Sequence, residues 1–486
     1  MSLGSVQFLL FLAAAYAAFL AAPDRLRWAV LLVASGTFYA AFGAPVLLLV
    51  LALSIGVAYA VGRALGNPLS PSRRRALFWT GTLLQLSLLA AFKFALPLLD
   101  ALRTPGASAT GTAPEPLALV GAVGLSYYVF QAIAYQADVY LEVVPPERHL
   151  GLFALYLAFF PKLTQGPIER PGDLLPQLRR PFRFDHASAR EGLVLVAWGL
   201  FKYLVVAGRL ARTVDEVYGD VHGYGPTALL LATYCYALQL YCDFSGYTDI
   251  ARGAARLFNV SLARNFDAPY TATSIAEFWR RWHMSFSRWL LDYLFRPLQM
   301  TWRRWRTHGT VAALFVTFLV CGVWHGPRWT FVAWGALHGV YLAASVYWRP
   351  WQARLHRALG PRVTRALAPW RGLVVFHMVC AAWVFFRATS LGDALHVLAT
   401  VGGRLPEAIA GIWLGVPGRM RLPGMSSTDV AIVLAAAPLV VWEKALGGPD
   451  PWKRPLLVRW TAYVALSLSI IVFGLHGENT FIYSRF

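Results

Sequence analysis

The chain has 486 residues, 57% of them hydrophobic and 14% charged, with a mean hydropathy of +0.51. Soluble domains are roughly 45–50% apolar and about one-quarter charged, so this composition excludes an ordinary soluble enzyme and describes a polytopic membrane protein. The formal charge of +20 invites a nucleic-acid reading, but the 44 Lys and Arg residues are dispersed between apolar segments, as a positive-inside topology signal requires.

Crossing about 30 Å of hydrocarbon takes roughly 17–25 apolar residues, fewer where a bundle thins the bilayer. The sequence offers about twelve such runs, near 5–22, 28–42, 45–62, 77–98, 117–139, 191–211, 227–246, 309–324, 329–347, 372–387, 429–446 and 456–475. The expected fold is therefore an all-α helical bundle of about 11–12 spans with re-entrant and interfacial helices. The first run has no basic segment before it, so it reads as a span and not as a cleaved signal peptide. The acid-free Arg-rich segments 63–75 and 349–371 are expected on the cytoplasmic side, and 99–116 and 212–226 outside, which places both termini outside. One integral domain is expected over 1–486, with N-terminal helices in 1–150, a core in 151–345 and C-terminal helices in 346–486.

Two stretches resist simple spanning. Residues 151–161 are apolar but short and run into KLTQGPIER at 162–170, as a re-entrant or interfacial segment would. Residues 251–306 carry ten arginines against Asp267, Glu277 and Asp292, making them the largest cytoplasmic element. Within it Phe278, Trp282, Phe286 and Trp289 fall on one helical stripe, which predicts an amphipathic helix at the membrane surface. Arg280, Arg281 and Arg288 beside that stripe are candidates to hold the phosphates of an anionic acyl donor.

Ionisable groups inside apolar sequence are functional candidates, because a polar group in hydrocarbon costs several kcal/mol unless it is paired or wet. His325 lies in WHGP at 324–327, where Gly and Pro end a helix, and His338 lies on the next apolar run. A helix rising from about 309 lifts His325 roughly 24 Å, and His338, thirteen positions later, falls roughly 20 Å below it if that segment is helical. The two rings then need not touch. That spacing, the lack of HxxxH or HExxH pairs and the lack of CxxC spacing among Cys235, Cys242, Cys321 and Cys380 argue against a metal site. A neutral imidazole suits proton removal from a hydroxyl, which makes His325 the candidate base and requires it to sit in a wet passage. Asp243, Ser245, Tyr247 and Asp249 form a polar cluster on a predicted span, expected to brace or line such a passage, as are Gln165, Glu169, Trp324 and His338.

Several separated stretches resemble the membrane-bound O-acyltransferases, within them the bacterial branch that acetylates alginate. They are GLSYYVFQ at 124–131, FPKLTQGPIER at 160–170, YCDFSGYTD at 241–249, NFDAPY at 265–270, FWRRWHMS at 278–285, WHG at 324–326, WGALHG at 334–339 and the closing FIYSRF at 481–486. The resemblance implies that His325 is the family's essential histidine and His283 a second histidine of the same tunnel. It implies a thin centre where a cytoplasmic thioester, acetyl-CoA or an acyl-carrier thioester, meets an acceptor arriving through an outer funnel. No permanently bound cofactor is implied. It further implies a bacterial inner-membrane location, an extracytoplasmic polysaccharide acceptor and a periplasmic SGNH-like acetyltransferase partner with a serine nucleophile, with no nucleic acid involved. D-alanyl transfer to teichoic acid is the alternative within the family. A transporter or an interaction-only scaffold is the alternative outside it, although the inverted repeats expected of many transporters are not seen.

Overall fold

In the computed structural model, residues 1–95, 123–413, 423–441 and 455–475 are described, and their regular structure is entirely helical. The expected outer loop 99–116, the beginning of the fifth predicted run, the last residues of the eleventh and the closing FIYSRF lie outside the described residues. The first four helices are α1 (Val6–Ala21), α2 (Arg27–Ala40), α3 (Pro45–Leu65) and α4 (Pro71–Ala90), the last continuing as a π-helical turn, Ala91–Ala95. Next come α5 (Leu125–Tyr140), α6 (Leu150–Ala158), α7 (Phe160–Leu163) and α8 (Pro171–Leu178). Helix α9 (His186–Leu200) runs through the π-helical segment Phe201–Ala207 into α10 (Gly208–Gly219) and is followed by the long α11 (Pro226–Leu257). Three short helices, α12 (Ile275–Arg281), α13 (Met284–Leu290) and α14 (Arg296–Thr301), precede α15 (Arg306–His325), α16 (Trp329–Ala366) and α17 (Ala368–Arg387). The remainder is α18 (Leu391–Gly403), α19 (Leu405–Trp413), α20 (Ser427–Val441) and α21 (Leu456–Phe473).

Local chemistry sets these starts. Ser5, Ser70, Asp185, Ser274 and Ser390 each accept a first-turn N–H with the side chain, and proline opens α3, α4, α8 and α11, where its missing N–H costs nothing. Seven described helical stretches are long and apolar enough to cross a membrane: Pro45–Leu65, Pro71–Ala95, His186–Gly219, Arg303–His325, Trp329–Ala366, Ala368–Arg387 and Leu456–Phe473. The protein is thus a multi-pass membrane protein. The other predicted runs also fall on helices, but shorter or more polar ones; α5 and α11 are almost wholly buried inside the bundle.

Close backbone approaches hold the bundle together, as expected where lipid supplies no hydrophobic drive between helices. A Cβ at Gly199 or Gly246 would lie 2.5 or 2.7 Å from the other's carbonyl oxygen, and Gly192 and Gly253 repeat the contact, locking α9 onto α11. Likewise a Cβ at Gly322 would sit 2.4 Å from the Phe331 carbonyl, and one at Gly335 2.4 Å from that of Phe318, so α15 and α16 form a tight hairpin.

Two sequence expectations change and a third is refined. The stripe 277–298 is not one surface helix: it breaks at Trp282–His283, and Phe278, Trp282, Phe286 and Trp289 are all buried in the core. Periodicity reports an apolar face without saying whether lipid or protein covers it. The Arg-rich stretch after 347 is no loop, because α16 continues to Ala366 with a break at Gly360 (φ +74°), arginine being a good helix former. The 151–161 segment, expected to be re-entrant or interfacial, is two short helices, α6 and α7, separated at Phe159 and largely covered by the others, as irregular backbone at membrane depth requires.

The hairpin contact is testable. Gly322→Leu should destabilise the detergent-purified protein by about 1–3 kcal/mol or more. Gly56→Ala in α3, with nothing within 4 Å of the new Cβ, should hold or raise stability. Thermal unfolding that treats the two variants alike would contradict this packing.

Candidate functional site

His325 is the last residue of α15, where Gly326 and Pro327 stop the helix. It is not at an open surface: only 5% exposed, its ring lies 5.0 Å from Trp334 and 4.8 Å from Phe386, both edge-on, with Phe331 at 6.1 Å. Trp324 covers another side at 4.5 Å. His338 lies one face further along α16, its ring 5.1 Å from the same Trp334. The two histidine centroids are therefore within about 10 Å of each other, not the roughly 20 Å that counting along the chain gave. The turn at 326–328 folds α16 back, so counting through it overstates the separation. Trp279 Nε1 donates to His338 Nδ1 at 3.2 Å, which puts the proton of a neutral His338 on Nε2. Fully buried among Phe278, Trp279, Phe318 and Trp334, His338 supports the aromatic wall behind His325.

His283 reaches the same region from the break between α12 and α13. Its backbone is left-handed (φ 43°, ψ 54°), a conformation that costs a non-glycine residue about 1–2 kcal/mol and that clusters at functional sites. A hydrogen-bonded knot holds it there. Met284 N donates to the Asn265 carbonyl (2.9 Å), Ser285 N and Oγ both donate to Asn265 Oδ1 (3.2 and 2.6 Å), and Ile168 N donates to Ser285 Oγ (3.0 Å). Three motifs far apart in sequence, around 168, 265 and 285, thereby share one junction. The His283 ring packs on Phe244 at 4.7 Å and Phe286 at 5.0 Å and stacks on Tyr127 at 6.3 Å. Phe286 in turn meets Trp324 at 4.5 Å, so aromatic rings link His283 to His325, and the two histidines are within electrostatic reach.

Among the described residues, both ring nitrogens of His283, the Tyr127 hydroxyl and the indole N–H groups of Trp324 and Trp334 are buried with no protein partner. An unsatisfied buried polar atom costs about 1–3 kcal/mol, so these groups around the two histidines are candidates to bind water or substrate.

The motif 160–170 braces this chamber. Gly124 (φ +76°) lets α5 approach so closely that a Cβ there would sit 2.5 Å from the Leu163 carbonyl. Lys162 Nζ donates to Gln131 Oε1 at 2.5 Å, Glu169 Oε1 accepts from Ala263 N at 2.7 Å, and Arg170 pairs with Asp292 at 2.8 Å. Gln165 is buried beside Thr164, whose hydroxyl lies 2.5 Å from that of Tyr247. The polar cluster of α11 divides by function. Tyr247 thus turns to the 160–170 motif, whereas Asp249 bonds Lys202 at 2.6 Å and Arg252 at 3.1 Å, tying α11 to the π-helical segment after α9. Asp243 and Ser245 are buried on the same helix, and the Ser245 hydroxyl has no protein partner.

Arg281 is engaged structurally, with Glu277 at 2.6 Å and the Thr271 hydroxyl at 2.8 Å, while Arg280 and Arg288 are exposed. The described residues bring no three His, Cys, Asp or Glu side chains together as metal ligands; Cys242, Cys321 and Cys380 are buried and Cys235 half-buried, all four free.

One residue escaped the sequence reading. Lys93, in the π-helical turn ending α4, holds its ammonium 5.0 Å from the Trp324 ring centroid and within electrostatic reach of His325. A lone lysine near the end of an apolar run was the available signal, and it was absorbed into a predicted span.

A multi-pass helical protein with two buried histidines in one aromatic cluster is the class that fold and site define. Residues 149–387 match the model of the MBOAT, membrane-bound O-acyltransferase family. The chain is 35% identical over 418 residues to the probable alginate O-acetylase AlgI of Pseudomonas putida, covering 84% of this chain and 80% of that one. It is 33% identical over 315 residues to the peptidoglycan O-acetyltransferase of Helicobacter pylori (60% and 58%) and 25% identical over 287 residues to the teichoic acid D-alanyltransferase of Bacillus subtilis (56% and 70%). The chain belongs to the membrane-bound O-acyltransferase family and is an enzyme of that kind.

The strained backbone at 283 supplies a test. His283→Asn, which tolerates the left-handed region, should fold with unchanged or higher thermal stability while acyl transfer falls. Asn265→Ala, which strips the knot of its acceptor, should lose about 1–3 kcal/mol as well as activity. Equal activity in His283→Asn and wild type would remove His283 from the chemistry.

Proposed function

We propose that the enzyme is an O-acetyltransferase of the bacterial inner membrane that moves an acetyl group from a cytoplasmic thioester, acetyl-CoA or an acyl carrier, to an extracytoplasmic polysaccharide, with a periplasmic SGNH-like partner receiving or relaying it. The observation that carries this reading is the convergence of the buried His283 and His325 rings on the Phe286–Trp324 pair, with the Lys93 ammonium over Trp324 at 5.0 Å. The glycan O-acetylation in the names of two relatives supports acetyl as the group and a sugar hydroxyl, or a serine hydroxyl on the partner, as the acceptor.

The chemistry follows from the side chains. A neutral His325 ring nitrogen takes the proton of the acceptor hydroxyl as its oxygen bonds to the thioester carbonyl carbon. The carbonyl oxygen then carries negative charge, which the Lys93 ammonium and the Trp324 N–H, unpartnered among the described residues, would stabilise. Collapse breaks the carbon–sulfur bond, and the thiolate regains a proton from the His325 imidazolium, leaving an ester and a free thiol. His283 positions donor or acceptor through hydrogen bonds from its ring nitrogens. Exposed Arg280 and Arg288 lie on the segment assigned to the cytoplasmic side and are suited to a donor's phosphates.

Proteoliposomes containing the full chain and a labelled acetyl thioester test the assignment. His325→Ala should lower transfer about 10²–10⁴-fold, the usual worth of a general base. Lys93→Met should lower turnover about 10²–10³-fold with little change in donor affinity, as loss of an oxyanion stabiliser does. Normal transfer by His325→Ala would overturn the mechanism, and normal transfer by Lys93→Met would remove the lysine from it.

A further inference from the structure

Away from the histidine chamber, α1, α9 and α21 enclose an open-sided groove of about 730 Å³. Its polar groups are not scattered. Tyr16, His186, Arg190 and Tyr463 lie along its walls, while Leu9, Leu12, Leu193, Val196 and Leu466 supply apolar lining. The helix register shows that the polar groups share one end. Tyr16 packs on Phe258 at 5.6 Å, and Ser188 Oγ donates to the Arg256 carbonyl at 3.2 Å, so Tyr16 stands level with the first turn of α9. At the opposite end of α1, Gly4 abuts Tyr203, so the two helices run antiparallel. Leu475 N donates to the Leu204 carbonyl at 3.1 Å, so α21 runs parallel to α9 and its Tyr463 falls near the level of Arg190.

From His186 to Ala197, eleven residues of helix, the groove extends roughly 16 Å. That is about half of a hydrocarbon core roughly 30 Å thick, the depth of one leaflet. The Tyr16 and Tyr463 hydroxyls are buried with no protein partner among the described residues. The chain around this end is basic. Arg25 precedes α2, and Arg180, Arg183 and Arg190 flank the start of α9, while Asp24 is occupied in pairing with Arg27, Asp185 in capping α9 and Glu191 in pairing with Arg256 at 3.5 Å. An excess of arginine marks the cytoplasmic side.

We propose that this groove is a binding site for an anionic phospholipid of the cytoplasmic leaflet, with one acyl chain along α1 and α9 and the phosphate at Arg190, His186, Tyr16 and Tyr463. Three features select that occupant over a peptide or a zwitterionic lipid: single-leaflet depth, apolar walls, and a cationic, hydrogen-bond-donating end. Basic pockets between spans on the cytoplasmic side recognise anionic headgroups by this chemistry. The site is independent of the acyl-transfer reading.

The test is photolabelling of the full chain in nanodiscs by phosphatidylglycerol carrying a diazirine on its acyl chain, followed by peptide mapping. Adducts should concentrate in 9–16, 193–197 and 463–467, and unlabelled phosphatidylglycerol should compete better than phosphatidylcholine. Arg190→Gln should weaken labelling about five-fold, the worth of one cation against an anionic lipid. Ala13→Trp, which fills the slot and leaves every charge in place, should abolish the labelling at 193–197. Adducts spread evenly over the spans, equal competition by phosphatidylcholine, or undiminished labelling in Ala13→Trp would each overturn the proposal, whether or not Arg190→Gln folds.

Discussion

The approach of two backbones at Gly322 and Gly335 is the constraint on which the site depends. With no side chain between them, α15 and α16 close until His325, at the end of one helix, lies edge-on against Trp334 of the other. A polar ring at a helix end would ordinarily face the membrane surface. Here the return helix, with Phe331 and Phe386, roofs it over and gives it the low-dielectric surroundings in which a neutral base and a nearby cation act strongly.

A second constraint concerns non-helical backbone. Residues 164–170 and 258–274 leave N–H and C=O groups outside α-helices beside an apolar bundle, and hydrocarbon cannot satisfy those that are buried. The structure satisfies many of them with one another: Ile168, Asn265 and Ser285 share a junction, and Glu169 accepts from Ala263. The same junction holds His283 in a left-handed conformation. Strain at 283 and cohesion of the loops are thus two aspects of one arrangement, in which fold stability fixes the position of a functional ring.

Polar groups in this protein fall into two kinds. Asp249 with Lys202 and Arg252, and Arg170 with Asp292, satisfy one another and connect helices. Those around His283 and Trp324, and the tyrosine hydroxyls of the outer groove, have no protein partner among the described residues. That contrast separates paired groups that connect helices from groups whose hydrogen-bonding capacity the described residues leave unused, in the histidine cluster and in the outer groove as well as elsewhere in the bundle.

Hydropathy located the long apolar helices, and all twelve predicted runs fall on helical segments where the structure describes them, but the short helices α6–α8 and α12–α14 and the pair α18 and α19 lie outside any run. His325 and His338 were also legible, since an ionisable ring in apolar sequence has few structural excuses, whereas His283, in an Arg-rich motif, was legible only through the family resemblance. Periodicity did not reveal that the stripe from Phe278 to Trp289 turns inward, that Trp334 brings His325 and His338 within about 10 Å, or that Lys93 reaches Trp324. Those facts depend on which surfaces meet across long separations in the chain. An apolar face has the same pattern whether lipid or protein covers it, so only the packed structure could decide them.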